Sequence, residues 1–385
     1  MVAEPGAPPP IILVGVVGAG MFLAMPVIAA ALTASGLSDA EVGTFSSVQL
    51  ACVTAGCLVN LWLGPRMDAR RIALLALAVL LAMDLASAWI SVHSLFIAVR
   101  ALAGVAGGVA ISIATATLAR TRAADRNFGW FLFCQIAFQM LATWQLPRVV
   151  AQFGAPGVFL AFVALDTVAL LLIVRSFPSV ARTSGRTAAG RNTPRDWLYC
   201  ALVLLSILCF FTAVGSFWTF VGRIGEQNVG LSASAVGSGL SLAAFGGLAG
   251  AILPALLGAR FGRALPITLA AAALFGGLQL MSRAAGLLEF VTAAALFSFG
   301  WFLIYPYQLG VLSSLDKDGR PFIASAALTG AGLGIGPMIV VPLLPTKGLA
   351  ASFSVALTSV IVSAVLVLLV ISASRSSARV RGSVP

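Results

Sequence analysis

Two ionisable side chains, Asp84 and Arg100, lie inside long apolar stretches of this sequence, on either side of a turn near His93. Each is about two helical turns from that point, so the carboxylate and the guanidinium are predicted to reach a similar depth and to pair. A guanidinium holds a neighbouring carboxylate in its charged form, and separating the two favours proton uptake. This chemistry suits proton coupling, and a permanent salt bridge between two helices is the alternative.

A third ionisable side chain, Asp166, is isolated near the middle of a later apolar stretch. An ionisable group at bilayer depth costs several kcal/mol and therefore indicates a functional site by default. We expect Asp166 either to take part in proton coupling or to be protonated or bonded to a neighbouring helix.

Aromatic and amide side chains recur at helical spacing in other apolar stretches. Trp301, Tyr305 and Gln308 fall at i, i+4 and i+7, which places them on one helical face. Two glutamines and two aromatic residues extend the set of predicted solute contacts: Gln135, Gln139, Phe211 and Trp218. Such side chains suit stacking and amide hydrogen bonds to an organic solute. Bridging of helices by the glutamines and interfacial placement of the tryptophans are the alternatives.

The composition predicts that a membrane bundle positions these residues. Hydrophobic residues make up 60% of the chain and charged residues only 9%, which is too apolar for the polar surface of a soluble domain. Crossing the hydrocarbon core takes about 20 apolar residues, and twelve stretches are long enough. They are residues 11–34, 41–63, 72–92, 95–119, 128–150, 155–175, 197–221, 232–257, 265–282, 288–312, 322–345 and 349–372.

A sequence repeat divides these stretches into two sets of six. Gly36-Leu37-Ser38 recurs about half a chain length later as Gly230-Leu231-Ser232, and in both places Val-Gly follows after three residues. Such duplication is typical of membrane transporters built from internal repeats. We predict an N-terminal six-helix bundle at 1–175, a basic cytoplasmic linker at 176–196, and a C-terminal six-helix bundle with a short basic tail at 197–385.

The basic residues indicate orientation rather than binding to nucleic acid. The net charge is +11, but the opposite loops and their borders hold only Arg148, Arg223, Arg283 and Lys347. By the positive-inside rule both termini are cytoplasmic, and the protein is expected in the cytoplasmic (inner) membrane. No nucleic-acid partner is expected.

Enzymatic and metal-binding functions have little support. The sequence has one histidine and contains no HExxH, GxSxG or phosphate-binding Gly-Lys motif, so neither an enzyme nor a cofactor is expected. Met21 and Met25 stand one helical turn apart, and paired thioethers can hold Cu(I). A soft-metal (copper) carrier is therefore a minor alternative, with packing of the methionines as the other interpretation.

One local motif on the fourth stretch resembles a signature of the major facilitator superfamily. Arg100, Gly104, Gly107 and Gly108 match that family's arginine-containing helix-4 pattern, in which small residues allow close packing beside a buried guanidinium. The resemblance covers essentially the whole chain, because twelve predicted spans, two repeats and a basic central loop are also similar to that family. It implies an all-α membrane fold with twelve transmembrane helices.

The loop that follows the family's second helix is matched only in part. Its basic tail corresponds to Arg260, Gly262 and Arg263 in the second repeat, where Ala259 replaces the family's acidic residue. The equivalent charged segment of the first repeat comprises Arg66, Asp68, Arg70 and Arg71. The resemblance implies a gating or conformational role for these positions.

The resemblance implies a secondary active transporter that works by alternating access. The polar residues above favour proton-coupled movement of a small neutral or anionic amphipathic organic solute. The family's helix-5 antiporter signature is absent from residues 128–154, which favours symport into the cell. A proton-driven exporter of drugs or other amphipathic compounds is the main alternative. The expected partners are the solute, protons and the lipid bilayer, and the protein is expected to be a monomer.

The predicted orientation can be tested by side-specific labelling. A cysteine introduced within residues 176–196 should react with a membrane-impermeant thiol reagent only in inside-out vesicles, because that segment is predicted to be cytoplasmic. Ala285→Cys, in a predicted outer loop, is the matched control and should react in intact cells. Labelling of the 176–196 cysteine in intact cells would contradict the topology.

Overall fold

The computed structural model describes residues 9–64, 66–90, 93–118, 124–176, 192–257, 260–317 and 320–382. Within these ranges the chain forms α-helices joined by short turns, with one 3-10 turn at Val341–Leu343, and no strand occurs there. In chain order the helices α1 to α14 are Pro9–Leu23, Met25–Ala34, Asp39–Leu63, Ala69–Ser87, His93–Leu118, Ala124–Ser176, Pro194–Trp218, Val221–Gln227, Ala233–Leu257, Ala264–Met281, Leu287–Leu315, Arg320–Val340, Leu344–Lys347 and Ala350–Gly382.

The helices confirm a multi-pass, all-α membrane protein. In the described part of the chain, nine helices are long and apolar enough to cross a bilayer, or up to ten if the bent pair α1 and α2 forms one span. Helix α6 contains 53 residues and has non-helical backbone at Gly154. An unbroken helix of that length would measure about 80 Å, more than twice the hydrocarbon thickness. The total of twelve spans stays a prediction.

The chain divides into two compact units. The first comprises Met1–Ser184 with Trp218–Ser241, and the second comprises Gly185–Phe217 with Leu242–Pro385. The first unit therefore includes α8 and the beginning of α9 as well as α1 to α6. The division into bundles at 1–175 and 197–385 is read from the sequence repeat, and it stays a prediction. Most of the predicted linker, residues 177–191, lies outside the described residues.

The repeated Gly-Leu-Ser sequence forms the same turn in both places. Gly36 has a φ of 105° and Gly230 a φ of 76°, a left-handed region that favours glycine. The following serines cap the next helices. The hydroxyl of Ser38 accepts a hydrogen bond from the backbone N–H of Glu41 at the start of α3, and Ser232 does the same for Ala235 at the start of α9. A glycine turn followed by a serine cap therefore begins both α3 and α9.

Close packing of α3 against α5 organises the first unit. A Cβ atom added at Gly104 would overlap the carbonyl oxygen of Gln49, and one added at Gly108 would overlap that of Val53. Small residues allow two membrane helices to approach until their backbones touch. This confirms the packing predicted for the glycines of the helix-4 motif.

The α3–α5 contact predicts the effect of adding one methyl group. Gly108→Ala should lower the free energy of unfolding by about 1–3 kcal/mol, because its Cβ cannot fit without moving a helix. Gly276→Ala is the matched control, since a Cβ at that position in α10 meets no atom within 4 Å. The two midpoints can be measured by thermal unfolding in detergent. Equal midpoints for both variants would disprove the close approach.

Candidate functional site

The Asp84–Arg100 pair predicted from the sequence is present and buried in the first unit. Asp84 lies in the last turn of α4, and Arg100 lies two turns into α5. The guanidinium donates from Nη1 to Oδ1 of Asp84 over 2.5 Å. Arg100 is 0% exposed and Asp84 only 2% exposed, so water does not screen the pair. An ion pair in this environment needs further hydrogen bonds to offset the loss of hydration.

Two polar residues that the sequence analysis missed provide those hydrogen bonds. Arg100 donates from Nε to Oε1 of Gln49 over 3.1 Å and from Nη1 to Oγ of Ser87 over 3.0 Å. Gln49 can reach the guanidinium because Gly104 allows α3 to approach α5. Ser87 could have been found from the sequence, since it follows Asp84 by three residues and therefore shares its helical face.

Asp166 contacts neighbouring helices, which is one of the settings expected for it from the sequence. Asp166 is 1% exposed in the second part of α6, and its carboxyl group lies close enough to that of Asp84 and to Arg100 for their charges to interact. Two carboxyl groups beside one guanidinium carry a net negative charge when both are ionised, and one bound proton would balance it. We call Asp84, Arg100 and Asp166 the charged cluster.

Two polar atoms of the charged cluster have no hydrogen-bond partner among the described residues. They are Nη2 of Arg100 and Oδ2 of Asp166, and both are buried. The aromatic ring of Phe159 covers the guanidinium, with its centroid 5.4 Å from Cζ of Arg100. Buried polar atoms are usually paired, so each of these two atoms can form a further hydrogen bond.

The remaining predicted solute contacts of the first unit differ in burial and in hydrogen bonding. Gln135 is half-buried, whereas Gln139 is 1% exposed and its Oε1 lacks a partner. Trp218 donates from its indole N–H to the carbonyl oxygen of Phe22 over 3.1 Å. Pro26 stands four residues after Phe22 and has no N–H that could donate to this carbonyl. The chain bends by 45° between α1 and α2 at this point. Trp218 therefore stabilises a helix break, which favours a packing role.

In the second unit, Tyr305 and Phe211 form an aromatic pair. Their ring centroids are 4.9 Å apart in an edge-to-face arrangement, and the Tyr305 hydroxyl lies 3.2 Å from that of Thr329. Trp301 stacks on Phe302 at 5.0 Å and is 6% exposed. Tyr305 is half-buried, so it is the more accessible of the two predicted aromatic contacts on α11.

Gln308 belongs to an uncharged polar cluster that joins three helices. Its amide nitrogen donates to the hydroxyl of Ser206 on α7 over 2.9 Å and to that of Ser363 on α14 over 3.0 Å. The two serines also bond to each other's backbone carbonyl groups. Gln308 is 0% exposed. This geometry favours bridging of helices, the alternative considered for its side chain. We call Gln308, Ser206 and Ser363 the neutral cluster.

The predicted gating residues lie at helix ends. Arg66 stacks on Trp62, with Cζ 4.3 Å from the ring centroid, Arg70 donates to the carbonyl of Val174, and Arg71 is exposed. Asp68 is the N-cap of α4 without a side-chain capping bond.

In the second predicted gating segment, Arg260 is exposed and Gly262 has a φ of 70°. Arg263 donates to the Ser314 hydroxyl over 2.9 Å. The gating role of both segments stays a prediction.

The two methionines considered for soft-metal binding are buried on either side of the break between α1 and α2. Met21 is 7% exposed and Met25 is 0% exposed. The sulfur of Met25 accepts a hydrogen bond from the Ser46 hydroxyl over 3.3 Å. This contact supports packing as the role of Met25.

The arrangement of the helices is shared with transporters of known structure. The chain is similar to the nucleoside transporter NupG, with a TM-score of 0.73 and 11% identity over 94% of this chain and 98% of that chain. For the peptide transporter POT in complex with sulfate, the TM-score is 0.74 and the identity 12%, over 96% and 95%. A structure from the proton dependent oligopeptide transporters gives 0.73 and 13%, over 96% and 98%.

Sequence comparison adds no relative to these structures. No protein-family model matches the chain, and no curated protein matches it significantly. The identities of 11% to 13% show a common fold and nothing finer. At that level they support the resemblance stated from the sequence, because the chain has the fold of these transporters.

Proposed function

We propose that the protein is a secondary active transporter that moves a small neutral or anionic amphipathic organic solute by alternating access, coupled to protons. The main support is the charged cluster, in which two buried carboxyl groups face one guanidinium inside a transporter fold. A similar structure belongs to proton dependent oligopeptide transporters, which is consistent with this proposal.

The coupling follows from the charge of the cluster. With one proton shared between Asp84 and Asp166, the cluster is neutral beside Arg100. Loss of that proton leaves a net negative charge at bilayer depth, and gain of another leaves Arg100 without a charged partner. Both changes are costly in a water-poor interior. Proton transfer therefore requires a rearrangement of the helices that hold these side chains, and this rearrangement couples the proton to the transport cycle.

The membrane arrangement that we propose has twelve spans. Counting α6 as two spans separated at Gly154, α1 with α2 as one, and α4 as a further span accounts for that number. Helix α4 has Arg70, Arg71 and Asp84 in its sequence, which lowers its hydropathy without shortening it. Both termini lie in the cytoplasm, the membrane is the inner membrane, and the protein works as a monomer by symport.

For the solute, Tyr305 and Phe211 are the best-supported contacts in the second unit. Aromatic rings with one hydroxyl at their edge suit a partly apolar solute that also forms hydrogen bonds. A polyvalent cation fits less well, because it needs several carboxylates to offset its loss of hydration.

Removing the carboxyl groups one at a time tests the charged cluster. In Asp84→Asn or Asp166→Asn the remaining carboxylate can ionise and balance Arg100, so either variant should fold. The double variant leaves Arg100 buried and unpaired, and should lose about 3–5 kcal/mol of stability. Adding Arg100→Gln to the double variant should restore much of that loss. Thermal unfolding measures all four proteins.

Asp68→Asn provides the control, because it makes the same chemical change at the start of α4, where Asp68 is half-buried and its side chain makes no capping bond. It should change the free energy of unfolding by less than about 0.5 kcal/mol. Each single variant of the cluster should also lose the carboxyl band that changes with pH in infrared spectra. A double variant as stable as the wild type, or a wild type without such a band, would rule out the proposed coupling site.

The solute contacts can be tested once a ligand is found by a thermal-shift screen of nucleosides, peptides and aromatic acids, since any ligand of the native state raises its stability. Tyr305→Phe removes one hydroxyl and should weaken binding by about fivefold to tenfold. Gln308→Leu should lower stability but leave the dissociation constant unchanged, because Gln308 lies in the neutral cluster. The reverse pattern would make Gln308 the solute contact.

A further inference from the structure

A cavity of about 570 Å³ opens at one end of the first unit. It lies where α2 ends, α3 and α5 begin, α4 ends, and α6 breaks at Gly154. Its lining includes polar groups from Ser35, Glu41 and Ser87. A water molecule takes about 30 Å³ of liquid volume, so the cavity can hold several of them. By the predicted orientation this end faces the outside of the cell, opposite the 176–196 linker.

The floor of the cavity touches the charged cluster. Ser87 and Phe159 both line the cavity, and both contact Arg100. The Ser87 hydroxyl accepts the hydrogen bond from Nη1, and the Phe159 ring covers the guanidinium. A single layer of side chains therefore separates the cavity from Arg100, whose Nη2 is one of the two unpartnered polar atoms.

That layer is mainly aromatic. Phe159 packs edge to face on Phe96 with centroids 5.7 Å apart, and Phe96 packs on Phe45 at 5.6 Å. Apolar constrictions of this kind exclude water when closed and admit it after a small side-chain movement. The geometry gives Phe159 the position of a plug between the cavity and the charged cluster.

Charged side chains lie along the path from the cavity to the charged cluster on α3, α4, α5 and α6. Helix α3 presents Glu41 at the rim, where its carboxylate accepts hydrogen bonds from the N–H and hydroxyl of Ser38. Below the floor, α4 presents Asp84, α5 presents Arg100 and α6 presents Asp166. Among the described residues that line the cavity, Glu41 is the charged one, so an entering proton passes its carboxylate before it reaches the carboxyl pair.

We propose that this cavity is a water-filled proton entrance to the charged cluster, separate from the path of the solute, and that Phe159 is its plug. The inference rests on the proposed proton coupling and adds the route by which the proton arrives. In each event the carboxyl pair has first released its proton to the other side of the membrane. A proton from hydronium in the cavity then binds the ionised pair when the Phe159 ring swings aside. Ser87 is a positioning residue, since it holds Arg100 and shapes the floor.

Side-specific labelling tests whether the cavity contains water. In a background without the five native cysteines, Phe159→Cys and Leu160→Cys form a matched pair. They are neighbours at one depth of α6, but Phe159 lines the cavity whereas Leu160 is 40% exposed on the outside of the bundle. A thiol reacts as its thiolate, which needs water. With an impermeant reagent applied opposite the linker, Phe159→Cys should react at least about tenfold faster than Leu160→Cys.

Ala155→Cys keeps this test decisive if Phe159→Cys does not fold. Ala155 lies one turn from Phe159 on α6 and also lines the cavity, and its substitution leaves the aromatic layer intact. It should react from the same side. If both cysteines react no faster than Leu160→Cys, or react only from the linker side, the cavity is not the entrance and the proposal is overturned.

Proton exchange tests the route itself. Ala88 lines the cavity at the end of α4, so Ala88→Trp fills part of the space. It should slow the response of the carboxyl infrared band to a pH jump by about tenfold, whereas Phe159→Ala should speed it. If the band responds equally fast in all three proteins, protons arrive by another route and the entrance is disproved while proton coupling stands. If the wild type has no such band, proton coupling itself fails.

Discussion

The charge of Arg100 is the constraint on which the first unit depends. A guanidinium keeps its proton under all physiological conditions, so a buried arginine must be balanced by its surroundings. Helix α3 contributes Gln49, α4 contributes Asp84 and Ser87, and α6 contributes Asp166. Three helices thus converge on one side chain of α5. Because two carboxyl groups face a single cation, the charges of the cluster balance only with one proton bound, which is the basis of the proposed coupling.

In the second unit, buried polar side chains also join several helices, but they carry no charge. Gln308, Ser206 and Ser363 join three helices through hydrogen bonds between neutral groups. Such a cluster stabilises the contact of the helices and has no charge state to change. The two units therefore differ in chemistry although their Gly-Leu-Ser turns are alike. Among the described side chains, the buried ionisable cluster lies in the first unit, which places the proposed proton site there.

The sequence predicted that Asp84 pairs with Arg100, but it did not show which further side chains reach this pair. Asp84 and Arg100 lie on consecutive stretches joined by a short turn, so their pairing followed from depth alone. Asp166 reaches them from a helix far along the chain, and only tertiary packing shows which way its carboxyl group faces. Helical spacing likewise placed Gln308 and Tyr305 on one face of a helix. It could not show that Gln308 bridges helices in the interior whereas Tyr305 belongs to an accessible aromatic pair.

The backbone contact between α3 and α5 limits which parts of the first unit can move. Gly104 and Gly108 bring the two helices so close that sliding one along the other would drive carbonyl oxygens into neighbouring atoms. Gln49 and Arg100 therefore belong to one rigid body, and their hydrogen bond persists while that body is intact. The carboxyl groups are attached to other helices. Any motion that opens the charged cluster must displace α4 or α6 against a fixed guanidinium, so the anions are the moving parts.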